Sequence, residues 1–348
     1  MRLFHNDYNE MCHPAVLRYL QEISSRQMDG YGDDDCCSSA AERIKALCEN
    51  DSLSVHFLVG GTQTNLTVIA AALRPHQAVI GAESAHIQVH ETGAVEATGH
   101  KVLSLPSADG KITAEQIRNT AQAHLDDVTH EHIAQPKMVY ISQPTELGTT
   151  YSLAELEQIS QACKQYGLYL FVDGARLGYA LSAADNDVTL QDLANLTDVF
   201  YIGGTKVGAM FGEAVVISNT AITEDFRYII KQRGGMLAKG WLLGAQFEVL
   251  FKDGLYFEIS KYANRLADKL RDTLVELGYP ILVQCRTNQV FTVLPNTVLQ
   301  KLEKEFSYAP WGTVDDNHTA VRFCTSWATM EDSLDALCDA LTKITANS

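Results

Sequence analysis

Short apolar runs alternate with longer stretches of helical period along the first 245 residues. "SVHFLVGG" is an apolar run closed by two glycines. The residues after it place Leu66, Ile69, Ala70 and Leu73 at helical spacing. "KMVYIS" (137 to 142) and "LYLFVDGA" (168 to 175) read as strands, and "SLAELEQISQACKQYG" between them reads as an amphipathic helix. "TDVFYIGGTK" and "EAVVIS" follow as two further strands. Strands separated by helices of this length predict βαβ units and a mostly parallel sheet covered by helices. From about residue 246 the rhythm changes: one long helix over 247 to 277, the strand "NQVFTVLP", another helix, the strand "AVRFCTSW" and a closing helix. The pattern therefore divides the chain into a large α/β domain, 1–245, and a smaller α+β domain, 246–348, as expected for a chain of 348 residues. The amino-terminal segment, 1–15, is expected beside the site.

In an open parallel sheet, ligands collect beyond the carboxyl ends of the strands. Three predicted strand ends carry suggestive groups: Gly60-Gly61-Thr62, Asp173 with Arg176, and Lys206. A Gly-Gly-Thr turn at a helix start offers free backbone N–H groups and a hydroxyl, which suits a phosphate; it is equally the form of a plain strand-to-helix turn. Asp173 follows four apolar residues and needs a cationic partner, either a neighbouring arginine or the protonated ring nitrogen of a cofactor. Lys206, between glycine-flanked turns, has the setting of a desolvated, nucleophilic lysine. Phosphate cradle, buried carboxylate and reactive lysine are together what pyridoxal 5'-phosphate requires.

Charge changes the picture by exclusion. With 27 Lys+Arg against 43 Asp+Glu, a net charge of −16 argues against nucleic acid or an anionic membrane as partner and leaves a small-molecule substrate. No basic, apolar leader opens the chain and no run of 18 apolar residues occurs, so a cytoplasmic protein is expected. The 8 cysteines form no CxxC pair and the 11 histidines no HExxH, so no metal site is expected.

"FHNDYNEMCHP", "DGYGDDD", "VGGTQTN", "ESAHIQVHETG", "FVDGARLGYA", "FYIGGTKVGAMFGEAVV", "TNQVFTVLP" and "VRFCTSW" occur in an order and approximate spacing that resemble the low-specificity threonine aldolases, within the beta-eliminating lyase group of fold-type-I pyridoxal phosphate enzymes. That resemblance implies an aspartate-aminotransferase-like fold and cleavage of L-threonine, L-allo-threonine or related β-hydroxy-α-amino acids to glycine and an aldehyde. It implies Lys206 as the lysine bonded to the cofactor, Asp173 as partner of the pyridine nitrogen, Gly61 and Thr62 as the phosphate turn, and His86 as the residue stacked on the ring. Arg176 and Arg322 would hold the substrate carboxylate beside Asn6, and His86 or His132 would be the base. Asn6-Asp7 stands where the family often has Ser-Asp, "QPTE" replaces an acidic-Asn pair, and "GGTKVG" replaces Ser-Lys-Gly. The resemblance also implies a homodimer or homotetramer, for which residues 227 to 251, with Arg233, Lys239 and an apolar stretch, are the expected contact. A different pyridoxal phosphate reaction and a non-catalytic phosphate-ligand protein remain as rival readings.

Overall fold

A computed structural model describes residues 1–347. Twelve strands occur among them: β1 (Arg2–Leu3), β2 (Ser54–Leu58), β3 (Gln77–Ala82), β4 (Lys101–Leu105), β5 (Gln135–Ser142), β6 (Tyr169–Asp173), β7 (Val199–Gly203), β8 (Glu213–Ile217), β9 (Gln289–Pro295), β10 (Phe306–Ser307), β11 (Ala309–Asp315) and β12 (His318–Cys324). Seven of them form the central sheet, in the order β2-β8-β7-β6-β5-β3-β4. Neighbours from β7 to β4 pair in parallel, whereas β8 is antiparallel to both β7 and β2. β2 therefore runs in the direction of the parallel strands, and its carboxyl end opens on the same edge as those of β6 and β7.

The β7 and β8 strands are buried along their whole length, which is why they read as unbroken apolar runs rather than alternations. The flanking helices start on their own signals. Ser152 and Glu155 form a reciprocal cap on the helix Leu153–Tyr166, and Gly167 ends it at φ 62°. The helix Ala114–Asp126 begins on the equivalent pair Thr113 and Gln116.

The second layer is a three-stranded antiparallel sheet, β11-β12-β9, with the closing helix Glu331–Ala346 over it. Two large apolar cores result beside a small cluster at Ile23, Cys36 and Ala245, and the helix Leu255–Glu276 belongs to both large ones: Tyr256, Ile259 and Ala263 join the first, Leu266, Leu270 and Leu274 the second. The handover thus lies within that helix rather than at residue 246, because Phe247, Leu250 and Phe251 are buried in the first core. The single helix expected over 247 to 277 is two, Trp241–Phe251 and Leu255–Glu276, broken where Asp253 and Gly254 take φ 56° and 77°. Of the apolar stretch expected at an interface, Leu243, Phe247, Leu250 and Phe251 are buried, and Trp241 and Leu242 are half-buried. Before it, Arg227, Tyr228, Lys231 and Lys239 are exposed, with Arg233 half-buried at the end of the helix Phe226–Gln232.

Phe4 also packs in the second core, and the start of the chain is held there by parallel pairing of β1 with β10.

Candidate active site

The carboxyl edge of the sheet encloses a cavity of about 350 Å³, within the usual range for a small-ligand site. Gly61, Thr62, His86, Asp173, Arg176 and Lys206 all line it, brought together from β2, β3, β6 and β7.

Lys206 sits in the turn that carries β7 into β8. Gly204 and Thr205 both donate backbone N–H to the Gly212 carbonyl, at 2.9 and 3.2 Å. The turn is stapled across its base by Glu213, whose carboxylate accepts from Thr205 Oγ1 at 2.9 Å and from Gly204 N at 3.2 Å. The glycines have structural reasons: Gly208 and Gly212 adopt φ 86° and 121°, a region that strains side-chain-bearing residues. Tyr179 Oη donates to the Lys206 carbonyl at 2.6 Å, fixing the backbone while the side chain enters the cavity. Burial, then the charge of Arg176, pulls the Lys206 ammonium below its ordinary pKa. Burial likewise pushes the Glu213 carboxyl up to about 8, against the opposing pull of Lys206.

Asp173 ends β6 and is almost wholly buried. Its Oδ1 accepts from Tyr201 Oη at 2.5 Å and from Ala175 N at 2.9 Å. Its Oδ2 accepts from Asn65 Nδ2 at 3.1 Å and from Tyr140 Oη. Burial and the Asp173 charge hold both tyrosines well above their usual pKa, so they stay donors. The arginine partner entertained for Asp173 belongs elsewhere: Arg176 Nε and Nη2 bind Asp7 in a fork at 2.7 and 3.0 Å. Asn288 Nδ2 adds a third bond to Asp7 at 2.8 Å. Burial pushes Asp7 up, but the Arg176 and Lys206 charges and these hydrogen bonds outweigh it and hold the carboxyl below its normal pKa. Asp173 is left with neutral donors alone.

The helix Gly61–Ala72 begins at the cavity with no side chain capping its first turn, so its leading N–H groups are free of side-chain acceptors. A Cβ on Gly61 would lie 3.2 Å from Tyr201 Oη, which keeps the approach to that helix end narrow.

His86 follows β3. Its backbone N–H donates to Glu146 Oε1 at 2.9 Å, and its Nδ1 lies 2.7 Å from Glu91 Oε1. Glu146 also accepts from Ser142 Oγ at 2.8 Å, and burial raises its pKa.

Three expected residues lie outside the cavity. His132 is exposed on the 3-10 turn His130–His132, which precedes β5 and so sits at the opposite end of the sheet; it has no reach to the site. Its neighbours His124 and His130 face each other at that same end and do not replace it. Asn6 turns its Oδ1 back to the Tyr8 N–H at 3.0 Å, and the adjacent Asp7 and Tyr8 supply the polar contact instead. Arg322 bonds Gln289 Oε1 at 3.2 Å and the His5 carbonyl at 3.1 Å, with its guanidinium 5.7 Å from the Trp311 ring, so it anchors the amino-terminal segment.

Asp7, Glu91, Glu213, Tyr140 and Tyr201 join the site beyond the residues expected from the sequence. Glu213 had a legible signal, a lone carboxylate opening a buried strand, whereas Asp7 and Glu91 draw their roles from distant partners and Tyr140 and Tyr201 look in the sequence like ordinary strand residues.

The profile of the beta-eliminating lyase family matches residues 18–297. The chain belongs to that family. Within it, the low specificity L-threonine aldolase of Pseudomonas sp. (strain NCIMB 10558) is 31% identical over 336 residues, covering 94% of this chain and 92% of the relative. Among solved structures, the threonine aldolase of Leishmania major superposes with a TM-score of 0.97 at 46% identity, covering 99% of this chain and all of that one. The histidinol-phosphate aminotransferase of Clostridium acetobutylicum, at 14% identity and a TM-score of 0.74, shares the fold alone. This beta-eliminating lyase is thus α/β with an aminotransferase-like architecture.

Proposed function

We propose that the protein is a pyridoxal 5'-phosphate-dependent aldolase that cleaves the Cα–Cβ bond of L-threonine, L-allo-threonine or a related β-hydroxy-α-amino acid to glycine and an aldehyde. The observation that carries this reading is the meeting, in one cavity, of Lys206, Asp173, His86 and an uncapped helix end. Threonine aldolases among its relatives choose aldol cleavage over other reactions of that cofactor.

The residues fit such a cofactor. Asp173 is a buried carboxylate given only neutral donors, so a cationic ring nitrogen would complete it. The free N–H groups at Gly61 and Thr62 suit a phosphate dianion. Lys206, with its ammonium destabilised, has the character needed to bond a carbonyl carbon. When bound, the cofactor supplies an electron sink for the bond that breaks.

The chain's own residues do the rest. Arg176 gives Nε and Nη2 to Asp7, which leaves Nη1 to orient the substrate carboxylate. His86 takes the proton from the β-hydroxyl, so that oxygen becomes the aldehyde carbonyl as the Cα–Cβ bond breaks. The proton taken up by His86 balances the one that Cα gains on the product side, and the neutral amine of Lys206, as nucleophile, displaces glycine. Tyr140 and Tyr201 keep Asp173 in place and dry.

The protein is further proposed to be a homodimer or homotetramer and to act in the cytoplasm; no helix among the described residues is long and apolar enough to cross a membrane.

Purified protein supplied with cofactor and L-threonine is expected to release acetaldehyde and glycine in equal amounts. Lys206→Ala should abolish both the visible absorbance of bound cofactor and turnover while leaving the circular dichroism unchanged. Pyruvate or a keto acid as principal product, or a coloured and active Lys206→Ala protein, would overturn the reading.

A further inference from the structure

Behind His86 lies a carboxylate that the chemistry above does not use. The Glu91 side chain is completely shielded from solvent. Its Oε1 receives two contacts, Asn65 Nδ2 at 2.8 Å and His86 Nδ1 at 2.7 Å, and its Oε2 has no hydrogen-bond partner. No Lys or Arg among the described residues pairs with it; the ring of His86 is the one basic group in reach.

The same Asn65 nitrogen also donates to Asp173 Oδ2 at 3.1 Å. An amide wedged between two carboxylates has one tolerable orientation: the NH2 must face both oxygens, since the flipped form would set a carbonyl oxygen against each. Asn65 therefore spends its two hydrogens tying Glu91 to Asp173, which fixes where the Glu91 carboxylate can point. It cannot turn away from His86.

We infer that Glu91 is a positioning residue that fixes the tautomer of His86. A carboxylate only accepts, so at 2.7 Å the proton of the neutral imidazole lies on Nδ1, and Nε2 is the nitrogen left with a lone pair. The backbone bond from His86 N to Glu146 holds the residue at a second point, so the ring is restrained at main chain and side chain alike. Proton transfer then runs from the substrate β-hydroxyl to Nε2, and the imidazolium that forms keeps its Nδ1–H on Glu91, where the buried negative charge stabilises it. Asp173 and the base are thereby held on one amide.

The consequence for turnover rests on the proposed aldol cleavage; the tautomer itself does not, and can be read without cofactor. In protein labelled with 15N-histidine, with His86→Asn used to assign the signal, the neutral ring of His86 should show the Nδ1–H tautomer. Glu91→Leu should convert it largely to Nε2–H. In the loaded enzyme that variant should lose on the order of 10²-fold in kcat with KM changed less than about threefold. A wild-type ring in the Nε2–H form overturns the inference without any variant, which matters if Glu91→Leu folds poorly. So does a Glu91→Leu protein with unchanged tautomer and kcat. The expected tautomer in a protein without aldolase activity would fail the proposed function alone.

Discussion

Glu213 and Lys206 are buried in one turn with opposite charges available, yet burial works against both: the carboxyl is pushed up to about 8 and the ammonium is pulled down. Burial thus disfavours the charged form of each, and for Lys206 that is a shift toward the neutral amine, the nucleophilic form. A stability consequence follows from the sign of the Glu213 shift. Above the ordinary glutamate pKa the unfolded chain has released this proton while the folded protein still holds it, so the stabilisation is full below about 4.5 and is lost as pH rises toward 8. Glu213→Gln removes that titration. The melting temperature of the wild type should fall relative to the variant between pH 5 and pH 9; a difference that stays flat over that range contradicts the shift. Residues such as Lys206 and Asp173 were legible because a charge stranded at the end of an apolar run has few structural reasons to be there. Glu91 and Asp7 were not, because what makes them matter is a partner far away in the chain: Arg176 for Asp7, 169 positions on, and the Asn65 bridge for Glu91. His132 failed for a related reason. Three histidines within nine positions give a local pattern no means of choosing, and strand direction, not spacing, decides which end of the sheet they occupy.

Elements meet at this site through small residues. Gly174, directly after β6, passes so near β7 that a Cβ would lie 1.9 Å from the Tyr201 carbonyl oxygen and 3.0 Å from Leu177 Cβ. Its own carbonyl accepts from Gly203 N and Leu177 N, both at 2.8 Å, so the backbone has no slack to withdraw. Gly174→Ala is expected to destabilise by about 3 kcal/mol or more, at the upper end of overpacking costs, and to displace Asp173 with it. Denaturant unfolding measures the first effect, and cofactor affinity the second. A loss under about 1 kcal/mol would mean that the two strands separate readily. Alternation of strand and helix was the most legible level of all, since unbroken apolar runs of five or so residues have few other uses in a protein of this size. The break between Phe251 and Leu255 was hidden because the helical period continues in phase across it, while the turn depends on the backbone angles of Asp253 and Gly254.

At the scale of the molecule, one buried ion pair joins three distant stretches of chain. Asp7 comes from the amino terminus, Arg176 from the end of β6 and Asn288 from the head of β9. Asp7→Asn would strand the Arg176 guanidinium in a buried place and should cost roughly 3–5 kcal/mol. It should also weaken binding of an amino-acid carboxylate, because Arg176 loses the fork that aims it. An Asp7→Asn, Arg176→Gln pair is expected to recover part of the stability and none of the carboxylate binding. Thermal unfolding and substrate titration separate the two. Equal stability of wild type and Asp7→Asn would mean that the pair contributes nothing.

The pairing of β1 with β10 joins residues more than 300 positions apart: Arg2 lies opposite Phe306, and Leu3 opposite Ser307. During synthesis Arg2 and Leu3 must therefore wait until Phe306 and Ser307 have been made. Until β9 and β10 have emerged, Asp7 has neither Asn288 nor the neighbouring strand to hold it, and Arg176 lacks its fork, although the central sheet can already be complete. The large domain would then pass through a stage in which Lys206 and Asp173 are set and the carboxylate clamp is not. Nascent chains released before residue 288 should accordingly bind free cofactor before they can hold an amino acid.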